Sequence, residues 1–536
     1  MLSRPSTPAR NEDREQLMRL TQALTSAADT FPGRTASIDG TITRTWIERH
    51  ERVTRLAGAL RDLGTAAGDR VAILAHNGDR YTELLFATWW AGGTVVPLNT
   101  RWSAAELAHT LEDCSARILF VDAPFLPMLG ELRARVRSIE TIVCLGGKAS
   151  ADARLFTEDL IAGGQPCADA MRSGEDLAGL FYTGGTTGFP KGVMLPHRAL
   201  WYNALAIAKE MGLDSRTVWL HAAPMFHLAD FAANTSIALV GGRHVYIPAF
   251  DPEAALQAIE AHAVNSTILV PTMLGRILDH PAFDAARTRS MRRLLYGASP
   301  MPEGLLRQAL REMPHVRFFQ GYGQTEMAPG ITILPPEDHV LEGPSSVRLR
   351  SAGVPTIGCE VKIIDEQGRK VARGTIGEIT ARSPGVMLGY WNQPEQTKTS
   401  LRDGWVHTGD CGFQDEDGFI YVVDRLKDMI VSGGENVFSA EVESALSTHP
   451  DVGAVAVIGI PCKTWGEAVH AIIVPKPGAS IDDASIIEHC RKRIAGYKCP
   501  RSISVSTEPF PLSSAGKVLK RELRAAFWEG GSCCVQ

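Results

Sequence analysis

Several protein classes are excluded by what this sequence lacks. It contains no apolar run of the roughly 18–20 residues that a membrane-spanning helix requires. The first twenty residues mix arginine, glutamate and aspartate without an apolar core, so we expect no secretory signal there. Basic residues number 55 against 60 acidic ones, and the net charge of −5 argues against nucleic acid as the main partner. An anionic substrate would therefore need a locally basic site.

Cysteine is scattered along the chain rather than grouped. The ten cysteines include no C-x-x-C pair, the spacing typical of zinc sites and redox motifs. We therefore expect neither a disulfide framework nor a zinc site, and the cysteine usage favours a reducing cytoplasm.

Length and composition are those of an ordinary globular protein with several domains. The 536 residues exceed what one hydrophobic core supports, so we expect at least two domains. Hydrophobic residues make up 44% and charged residues 21%, as is usual for globular proteins. The oligomeric state stays open, with a homodimer among the alternatives.

Strand-like and helix-like segments alternate through most of the chain. Apolar residues at helical spacing predict a helix over 41–66, ended by Gly64. The alternation predicts βαβ units and a parallel sheet, hence an α/β fold. Ligands bind at the carboxyl ends of such strands, where we expect loops at 297–300 and 321–326. The predicted strands are 71–74, 94–98, 117–121, 267–270, 294–296 and 316–319, and the predicted helices include 82–90 and 104–113.

The character of the chain changes twice towards the C-terminus. Short β-like runs separated by glycines predict a small β-rich subdomain over residues 345–424. Residues 428–536 are predicted to form a separate small α+β domain. Its second helix, marked by Ile486 and Ile494, would have Gly496 at the C-cap position.

The segment 182–192, Tyr-Thr-Gly-Gly-Thr-Thr-Gly-Phe-Pro-Lys-Gly, concentrates glycines, hydroxyls and one lysine. Glycine lets the backbone approach a ligand, and successive N–H groups can form an anion-binding concavity. It is not a P-loop, because no Lys-Ser or Lys-Thr follows at the required spacing. The segment therefore predicts a polyphosphate site, with a flexible surface loop as the alternative.

Four further motifs follow this phosphate loop in order. They are YGQTE at 322–326, TGD at 408–410, DRLKD at 424–428 and PLSSAGK at 511–517. Together the five motifs resemble the adenylate-forming superfamily, specifically the acyl-CoA synthetases, over about residues 30–525. One departure is Gly184, where this family often has a serine, so that one hydroxyl donor is missing.

The resemblance implies an ATP-dependent, AMP-forming acid–thiol ligase. A carboxylic acid and ATP would give an acyl-adenylate and pyrophosphate, and CoA would then displace AMP to form the thioester. Lys517 would act at the α-phosphate, because a cation there offsets the repulsion between two anions and stabilises the developing charge. Glu326 offers the hard oxygen that Mg²⁺ prefers. ATP, Mg²⁺ and CoA are thus the implied cofactors and co-substrates.

The resemblance also implies which residues bind ATP and which take part in catalysis. The ribose would be held by Asp410 and Arg425, and Tyr322 would face the adenine. The predicted catalytic residues are Lys517, Glu326, Thr186 and His227. The predicted ATP-binding residues are Thr183, Gly184, Gly185, Thr186, Thr187, Gly188, Lys191, Gly297, Ala298, Ser299, Gln320, Gly321, Tyr322, Gly323, Thr325, Asp410, Arg425 and Lys517.

The resemblance also implies domain motion and a CoA channel. Lys427 would be the hinge between an adenylating domain, 1–426, and a small mobile C-terminal domain, 428–536, that carries Lys517. Ser432, Gly433 and Gly434 would border the pantetheine of CoA, since glycines let a thin chain pass close to the backbone. The alternative for these glycines is a simple β-turn.

His227 ends a further family motif, Pro-Met-Phe-His at 224–227, and would position or gate the acyl group. Members of the family that activate amino acids carry an acidic residue in this segment, so an α-amino acid substrate is disfavoured, although Asp230 keeps it open. Small residues nearby favour a medium- or long-chain fatty acid or an aromatic acid. The predicted acyl pocket comprises His227, Phe231, Asn234, Gly323 and Met327, beside Gly297 and Ala298.

Two alternative functions remain at this point. One keeps the adenylation but transfers the acyl group to a separate carrier protein. The other is a nucleotide-binding sensor without catalysis, against which the joint presence of Glu326, Asp410, Arg425 and Lys517 argues. For the ligase the expected partners are a small carboxylic acid, ATP and CoA, and we expect neither a nucleic acid partner nor a membrane span.

Overall fold

A computed structural model describes residues 18–146, 155–184, 190–512 and 518–528. The chain divides into two compact units. The first comprises Met1–Leu349, Gly353–Glu360 and Ala381–Val406, and the second comprises Arg350–Ala352, Val361–Thr380 and His407–Gln536. Among the described residues, no helix is both long enough and apolar enough to cross a bilayer.

Capping boxes fix the start of two helices in the first unit. Thr45 and Ser103 each accept a hydrogen bond from a backbone N–H three residues on, and the glutamate there bonds back to the cap residue. The α-helices of the described residues are α1 (Leu20–Thr30), α2 (Trp46–Asp62), α3 (Asp79–Ala91), α4 (Ala104–Asp113), α5 (Leu129–Arg135), α6 (Thr157–Gly163), α7 (His197–Glu210), α8 (Leu228–Val240), α9 (Pro252–His262), α10 (Pro271–Leu278), α11 (Glu303–Glu312), α12 (Pro394–Ser400), α13 (Ser439–Ser447), α14 (Asp483–Arg491) and α15 (Lys520–Trp528).

The strands are short in the first unit and longest near the C-terminus. They are β1 (Thr35–Asp39), β2 (Ile42–Thr45), β3 (Arg70–Leu74), β4 (Thr94–Pro97), β5 (Ile118–Val121), β6 (Thr141–Cys144), β7 (Leu155–Phe156), β8 (Leu177–Thr183), β9 (Lys191–Pro196), β10 (Val218–His221), β11 (Arg243–Tyr246), β12 (Ser266–Leu269), β13 (Arg293–Gly297), β14 (Arg317–Gly323), β15 (Gly330–Leu334), β16 (Val354–Pro355), β17 (Glu360–Ile364), β18 (Gly377–Arg382), β19 (Gly389–Tyr390), β20 (Leu401–Arg402), β21 (Trp405–Gln414), β22 (Ile420–Arg425), β23 (Ile430–Ser432), β24 (Glu435–Val437), β25 (Val452–Cys462), β26 (Gly466–Pro475) and β27 (Ser502–Val505).

Three of the sequence predictions are wrong in their limits. The helix predicted over 41–66 begins only at Trp46, because residues 42–45 form β2 and Thr45 caps the helix. Residues 321–323, predicted as loop, continue strand β14. Helix α14 ends at Arg491 with Lys492 as its C-cap, so Gly496 instead begins a short 3-10 turn.

Two mixed sheets form the framework of the first unit. The nine-stranded sheet has the order β16-β15-β14-β13-β12-β10-β11-β1-β2, and its central strands are parallel. The eight-stranded sheet has the order β19-β9-β8-β4-β3-β5-β6-β7, with β9 antiparallel to β8 and β19 antiparallel to β9. Helices join most of the parallel strands, which confirms the predicted α/β fold of βαβ type.

Helices α1, α2, α3 and α8 supply one large buried core of the first unit. Trp46, Leu56, Trp89 and Phe231 are all essentially inaccessible there. The indole N–H of Trp89 donates to the carbonyl of Ala178 in β8 at 2.9 Å, so that this large side chain buries no unpaired donor.

The C-terminal part of the second unit is a small α+β assembly. Its sheet has the order β24-β23-β26-β25, and β27 lies parallel to β26. Helices α13 and α14 contribute Val442, Leu446 and Ile486 to a core shared with these strands. Strands β21 and β22 of the same unit pair antiparallel and carry two of the predicted site residues.

Candidate active site

The phosphate loop leaves β8 and re-enters the sheet at β9. These two strands are antiparallel, with Thr183 opposite Lys191 and Tyr182 opposite Gly192. Gly185, Thr186, Thr187 and Gly188 lie outside the described residues, and the roles predicted for them stay predictions. The hairpin therefore sets the two ends of the predicted phosphate site, Thr183 and Lys191, on paired strands.

Lys191 and Glu326 form one cluster with a third residue, Tyr390. The Lys191 ammonium nitrogen lies 3.7 Å from Glu326 Oε1 and 3.8 Å from the centre of the Tyr390 ring. The Tyr390 hydroxyl donates to the same Oε1 at 2.7 Å. Burial and the neighbouring Glu326 carboxylate raise the pKa of Tyr390, so this phenol keeps its proton. The structure thus brings the predicted metal ligand and the predicted phosphate cation together.

Backbone pairing explains why Tyr390 lies at this point. In β19 it is opposite Val193 of β9, two residues beyond Lys191. The Tyr390 N–H donates to Thr397 Oγ1 at 2.8 Å, and the Met387 N–H donates to the Glu326 carbonyl at 2.9 Å. The strand order therefore places the turn carrying Glu326 beside the strand carrying Lys191.

Asp113, at the end of α4, accepts hydrogen bonds both from β8 and from the residue that follows β19. Its Oδ2 accepts the Tyr182 hydroxyl at 2.5 Å, and its backbone carbonyl accepts the indole N–H of Trp391 at 2.9 Å. One residue thus anchors the strand that enters the phosphate loop and the residue that follows Tyr390.

Two of the predicted ATP-site glycines, Gly297 and Gly323, lie against the backbone of other segments, which leaves no room for a side chain. A Cβ on Gly297 would lie 2.1 Å from the carbonyl oxygen of Gly321, and one on Gly323 would lie 1.7 Å from that of Pro329. Real Cβ atoms do not make contacts as short as these. The fold itself therefore requires glycine at both positions, whether or not a ligand is bound. Ala298 is exposed and adopts φ +63°, in the left-handed region.

The remaining predicted ATP-binding residues of the first unit lie on or just after β13 and β14. Tyr322 is half-buried and opposite Thr332 of β15. Gln320 Oε1 accepts the Tyr296 hydroxyl at 3.4 Å, and the Thr325 carbonyl accepts the Ala328 N–H at 3.1 Å. Ser299 is half-buried after β13. Gln320 and Tyr322 therefore lie within β14, whereas Ser299 and Thr325 follow the neighbouring parallel strands β13 and β14.

The predicted acyl residues surround the start of α8. His227 is half-buried at its N-cap, with its ring 4.5 Å from that of Phe226. Phe231 packs edge-on against Phe181 at 4.8 Å, and Asn234 accepts the Thr82 hydroxyl at 2.6 Å. Phe231, Asn234 and Met327 are at most 1% exposed, so His227 is the accessible member of this helix group.

Both carboxylate oxygens of Asp230 have hydrogen-bond partners inside the first unit. Its two carboxylate oxygens contact the Trp219 indole N–H at 3.0 Å and His221 Nδ1 at 2.7 Å. The other nitrogen of His221 lies 2.9 Å from Nδ1 of His244, whose pKa is lowered well below its usual value by burial and by the nearby Arg49. A substrate ammonium would have to displace this network, which counts against the amino acid alternative.

In the second unit the structure pairs the two predicted ribose residues. Asp410 of β21 is directly opposite Arg425 of β22, and the Arg425 Nε lies 3.3 Å from Asp410 Oδ1. Gly409, before it, has φ +70°, which favours glycine. The Leu426 N–H donates to the Gly409 carbonyl at 2.9 Å. Asp410 is buried, so its carboxylate is held in place by the hairpin and the guanidinium.

The predicted CoA residues form a tight turn between β23 and β24. Gly433 and Gly434 both have positive φ, 62° and 84°. The Gly433 N–H donates to the Trp465 carbonyl at 2.8 Å, and a Cβ on Gly433 would lie 2.5 Å from the indole ring. The Arg501 guanidinium lies 4.6 Å from the Trp465 ring centre. Trp465 and Arg501 also line a cavity of about 260 Å³.

Of the predicted hinge and catalytic lysines, the structure describes Lys427. The Lys427 carbonyl accepts a hydrogen bond from Arg524 of α15 at 2.9 Å. Lys517 lies outside the described residues, so its catalytic role stays a prediction. The hinge at Lys427 likewise stays a prediction, since the compact units are divided differently.

Sequence reasoning missed Tyr390, Asp113 and Trp465. Each of them contacts a predicted site residue, or the strand that carries one, from a distant part of the chain. Local sequence patterns do not predict contacts of this kind. The one signal available was the aromatic run Gly-Tyr-Trp-Asn at 389–392.

Comparison with known proteins agrees with this geometry. Residues 24–391 match the AMP-binding enzyme family, and residues 441–517 match the AMP-binding enzyme C-terminal domain. A feruloyl-CoA synthase of an Amycolatopsis species is 41% identical over 92% of this chain and 96% of its own. The fatty acid–[acyl-carrier-protein] ligase ScoC of Streptomyces coeruleorubidus is 35% identical over 96% of this chain and 97% of its own.

A solved structure has the same fold. It is the o-succinylbenzoate CoA synthetase of Bacillus subtilis in complex with the acyl-adenylate intermediate OSB-AMP. Its TM-score is 0.83 at 31% identity, covering 94% of this chain and 97% of that one. The predicted fold, family and enzyme class are thereby confirmed. The chain belongs to the adenylate-forming superfamily, as an AMP-binding enzyme of the acyl-CoA synthetase type.

Proposed function

We propose that this enzyme joins an aromatic carboxylic acid of the ferulate type to CoA, with Mg²⁺ and ATP. The observation that carries the choice of acid is the 41% identity to a feruloyl-CoA synthase over 92% of the chain. The half-buried His227 beside Phe226, at the start of α8, would offer a ring against which a planar acid can pack.

In the first step an oxygen of the acid attacks the α-phosphorus of ATP, and the bond to pyrophosphate breaks. Thr183 and Lys191, on paired strands, would hold the phosphates that leave. Lys517 would stabilise the charge that develops at the α-phosphate. Asp410 and Arg425 would hold the ribose, since a carboxylate can accept hydrogen bonds from both of its hydroxyls.

Glu326 would be the protein ligand of Mg²⁺. The described residues contain no group of three or more His, Cys, Asp or Glu side chains placed to hold a metal. One carboxylate together with substrate phosphates is nevertheless how proteins usually bind Mg²⁺, so the residues present fit the ion. When bound, the ion would neutralise charge on the phosphate oxygens.

In the second step the sulfur of CoA attacks the acyl carbonyl, and the bond to AMP breaks. We assign CoA to the turn of Ser432, Gly433 and Gly434 together with Trp465 and Arg501. An aromatic face next to a guanidinium suits the adenine and the phosphates at the nucleotide end of CoA. A domain motion that presents Lys517 to the α-phosphate would pivot at Lys427.

A second candidate keeps the adenylation but uses the thiol of a separate carrier protein as acceptor, with a fatty acid as substrate. The 35% identity to ScoC over 96% of the chain favours it. A panel of aromatic and fatty acids, scored by pyrophosphate release and then by AMP release with CoA or with a carrier protein, separates the two. The first candidate requires that ferulate-like acids and CoA give the highest kcat/KM, and a preference for fatty acids with a carrier protein would replace it by the second.

For the cellular setting we propose the reducing cytoplasm, supported by the scattered cysteines of the sequence. Cell fractionation tests this, and recovery from an oxidising compartment would contradict it. A homodimer remains one of the assemblies that light scattering of the purified chain would distinguish.

A further inference from the structure

Tyr390 contacts Lys191, one of the residues predicted to hold the phosphates, and Glu326, the predicted metal ligand. None of the five motifs contains Tyr390. We propose that Tyr390 is a positioning residue of the ATP site, which orients the Glu326 carboxylate towards Mg²⁺ and supports the Lys191 ammonium beside it. The inference rests on the proposed function, because it takes ATP and Mg²⁺ as the ligands of this cluster.

The hydroxyl and the ring of Tyr390 make two separable contacts. The hydroxyl donates to Glu326 Oε1 at 2.7 Å, and the ring centre lies 3.8 Å from the Lys191 nitrogen. Lys191 also lies nearest to Oε1, at 3.7 Å. The Tyr390 hydroxyl and the Lys191 ammonium both contact Oε1, so we assign Oε2 to the metal. A partner that fixes a ligating carboxylate in this way tunes metal binding without touching the ion.

Tyr390 itself is held too firmly to move with its partners. It is 4% exposed, its N–H donates to Thr397 Oγ1 at 2.8 Å, and it pairs with Val193 of β9. The Trp391 N–H that follows donates to the Gly192 carbonyl at 2.8 Å. The ring is therefore a fixed support, between the strand that carries Lys191 and the turn that carries Glu326.

The two contacts can be removed one at a time. Tyr390→Phe removes the hydroxyl and keeps the ring over Lys191, whereas Tyr390→Leu removes both. Tyr202→Phe is the matched control, because the half-buried Tyr202 donates its hydroxyl to the backbone carbonyl of Ile357 rather than to Glu326. ATP binding to the full chain is measured by calorimetry over a range of Mg²⁺ concentrations and also in EDTA, with thermal unfolding recorded for each variant.

We expect Tyr390→Phe to raise the Mg²⁺ concentration at half-maximal enhancement of ATP binding by about 10- to 100-fold, the usual effect of losing such a partner. Its ATP affinity in EDTA should equal that of the wild type. Tyr390→Leu should in addition weaken ATP binding in EDTA, because Lys191 loses its aromatic support. Tyr202→Phe should match the wild type in both conditions.

Three results would overturn the inference. One is an unchanged Mg²⁺ midpoint in Tyr390→Phe. Another is an equal loss of ATP affinity with Mg²⁺ and in EDTA, which would mean that the hydroxyl only stabilises the fold. The third is wild-type ATP binding that does not depend on Mg²⁺. A different result would refute the proposed function, namely intact Mg²⁺-dependent ATP binding with no release of pyrophosphate in the presence of any acid of the panel.

Discussion

Replacing Asp410 by asparagine tests the ribose assignment with the smallest change of shape. Asp410 is buried, and its Oδ1 lies 3.3 Å from Arg425 Nε. A hydrogen bond to a charged group contributes about 1.5–3 kcal/mol. At about 1.4 kcal/mol for each factor of ten, the loss corresponds to a roughly 10- to 140-fold change. Asparagine keeps one acceptor oxygen, so we expect about a tenfold rise in the KM for ATP.

The assay is pyrophosphate release at saturating acid with varied ATP. Asp415→Asn is the matched control in the same hairpin, because Asp415 Oδ1 accepts the Phe419 N–H at 2.8 Å and an asparagine oxygen can do the same. That control should retain the wild-type KM. If Asp410→Asn also retained it while folding normally, Asp410 would not hold the ribose.

Three further predictions concern other parts of the chain. Lys517→Ala should lower the rate of adenylate formation by roughly 10²–10³-fold, and a wild-type rate of pyrophosphate release would refute its catalytic role. Trp465→Ala should raise the KM for CoA and leave the KM for ATP unchanged, and an unchanged CoA KM would remove Trp465 from the CoA surface. Burial alone would raise the pKa of Asp79, but Arg49 beside it holds that pKa below its usual value. Its stabilising effect is therefore present above about pH 4 and lost as the pH falls further. Asp79→Asn, which leaves Arg49 buried without its charged partner, should lower the free energy of unfolding by about 3–5 kcal/mol at pH 7, and unchanged denaturant unfolding would contradict this.

Local signals in the sequence predicted much of the framework. The helix predicted over 104–113 matches α4, whose start is set by a capping box of Ser103 and Glu106. The α/β class followed from the alternation of short apolar strands with amphipathic helices. The start of α2 was missed because residues 42–45 pair with β1, and such a pairing overrides helical spacing.

The site was predictable where a motif is local and unpredictable where partners are distant in sequence. The register of β21 and β22 brings Asp410 opposite Arg425, as two neighbouring motifs suggested. Tyr390 depends on the pairing of β19 with β9, across almost 200 residues of chain. From the sequence, Gly323 was assigned to the ATP site. The structure adds a second reason for glycine at this position, because a Cβ there would clash with the Pro329 carbonyl.

The most direct test of the account follows the nucleotide products with one acid. Purified enzyme is incubated with ATP, Mg²⁺ and ferulate, first without and then with CoA, and the products are separated by chromatography. The account predicts pyrophosphate and an enzyme-bound acyl-adenylate before CoA is added, followed by equal amounts of AMP and acyl-CoA. Release of ADP and phosphate, or AMP formation that does not depend on the acid, would contradict it.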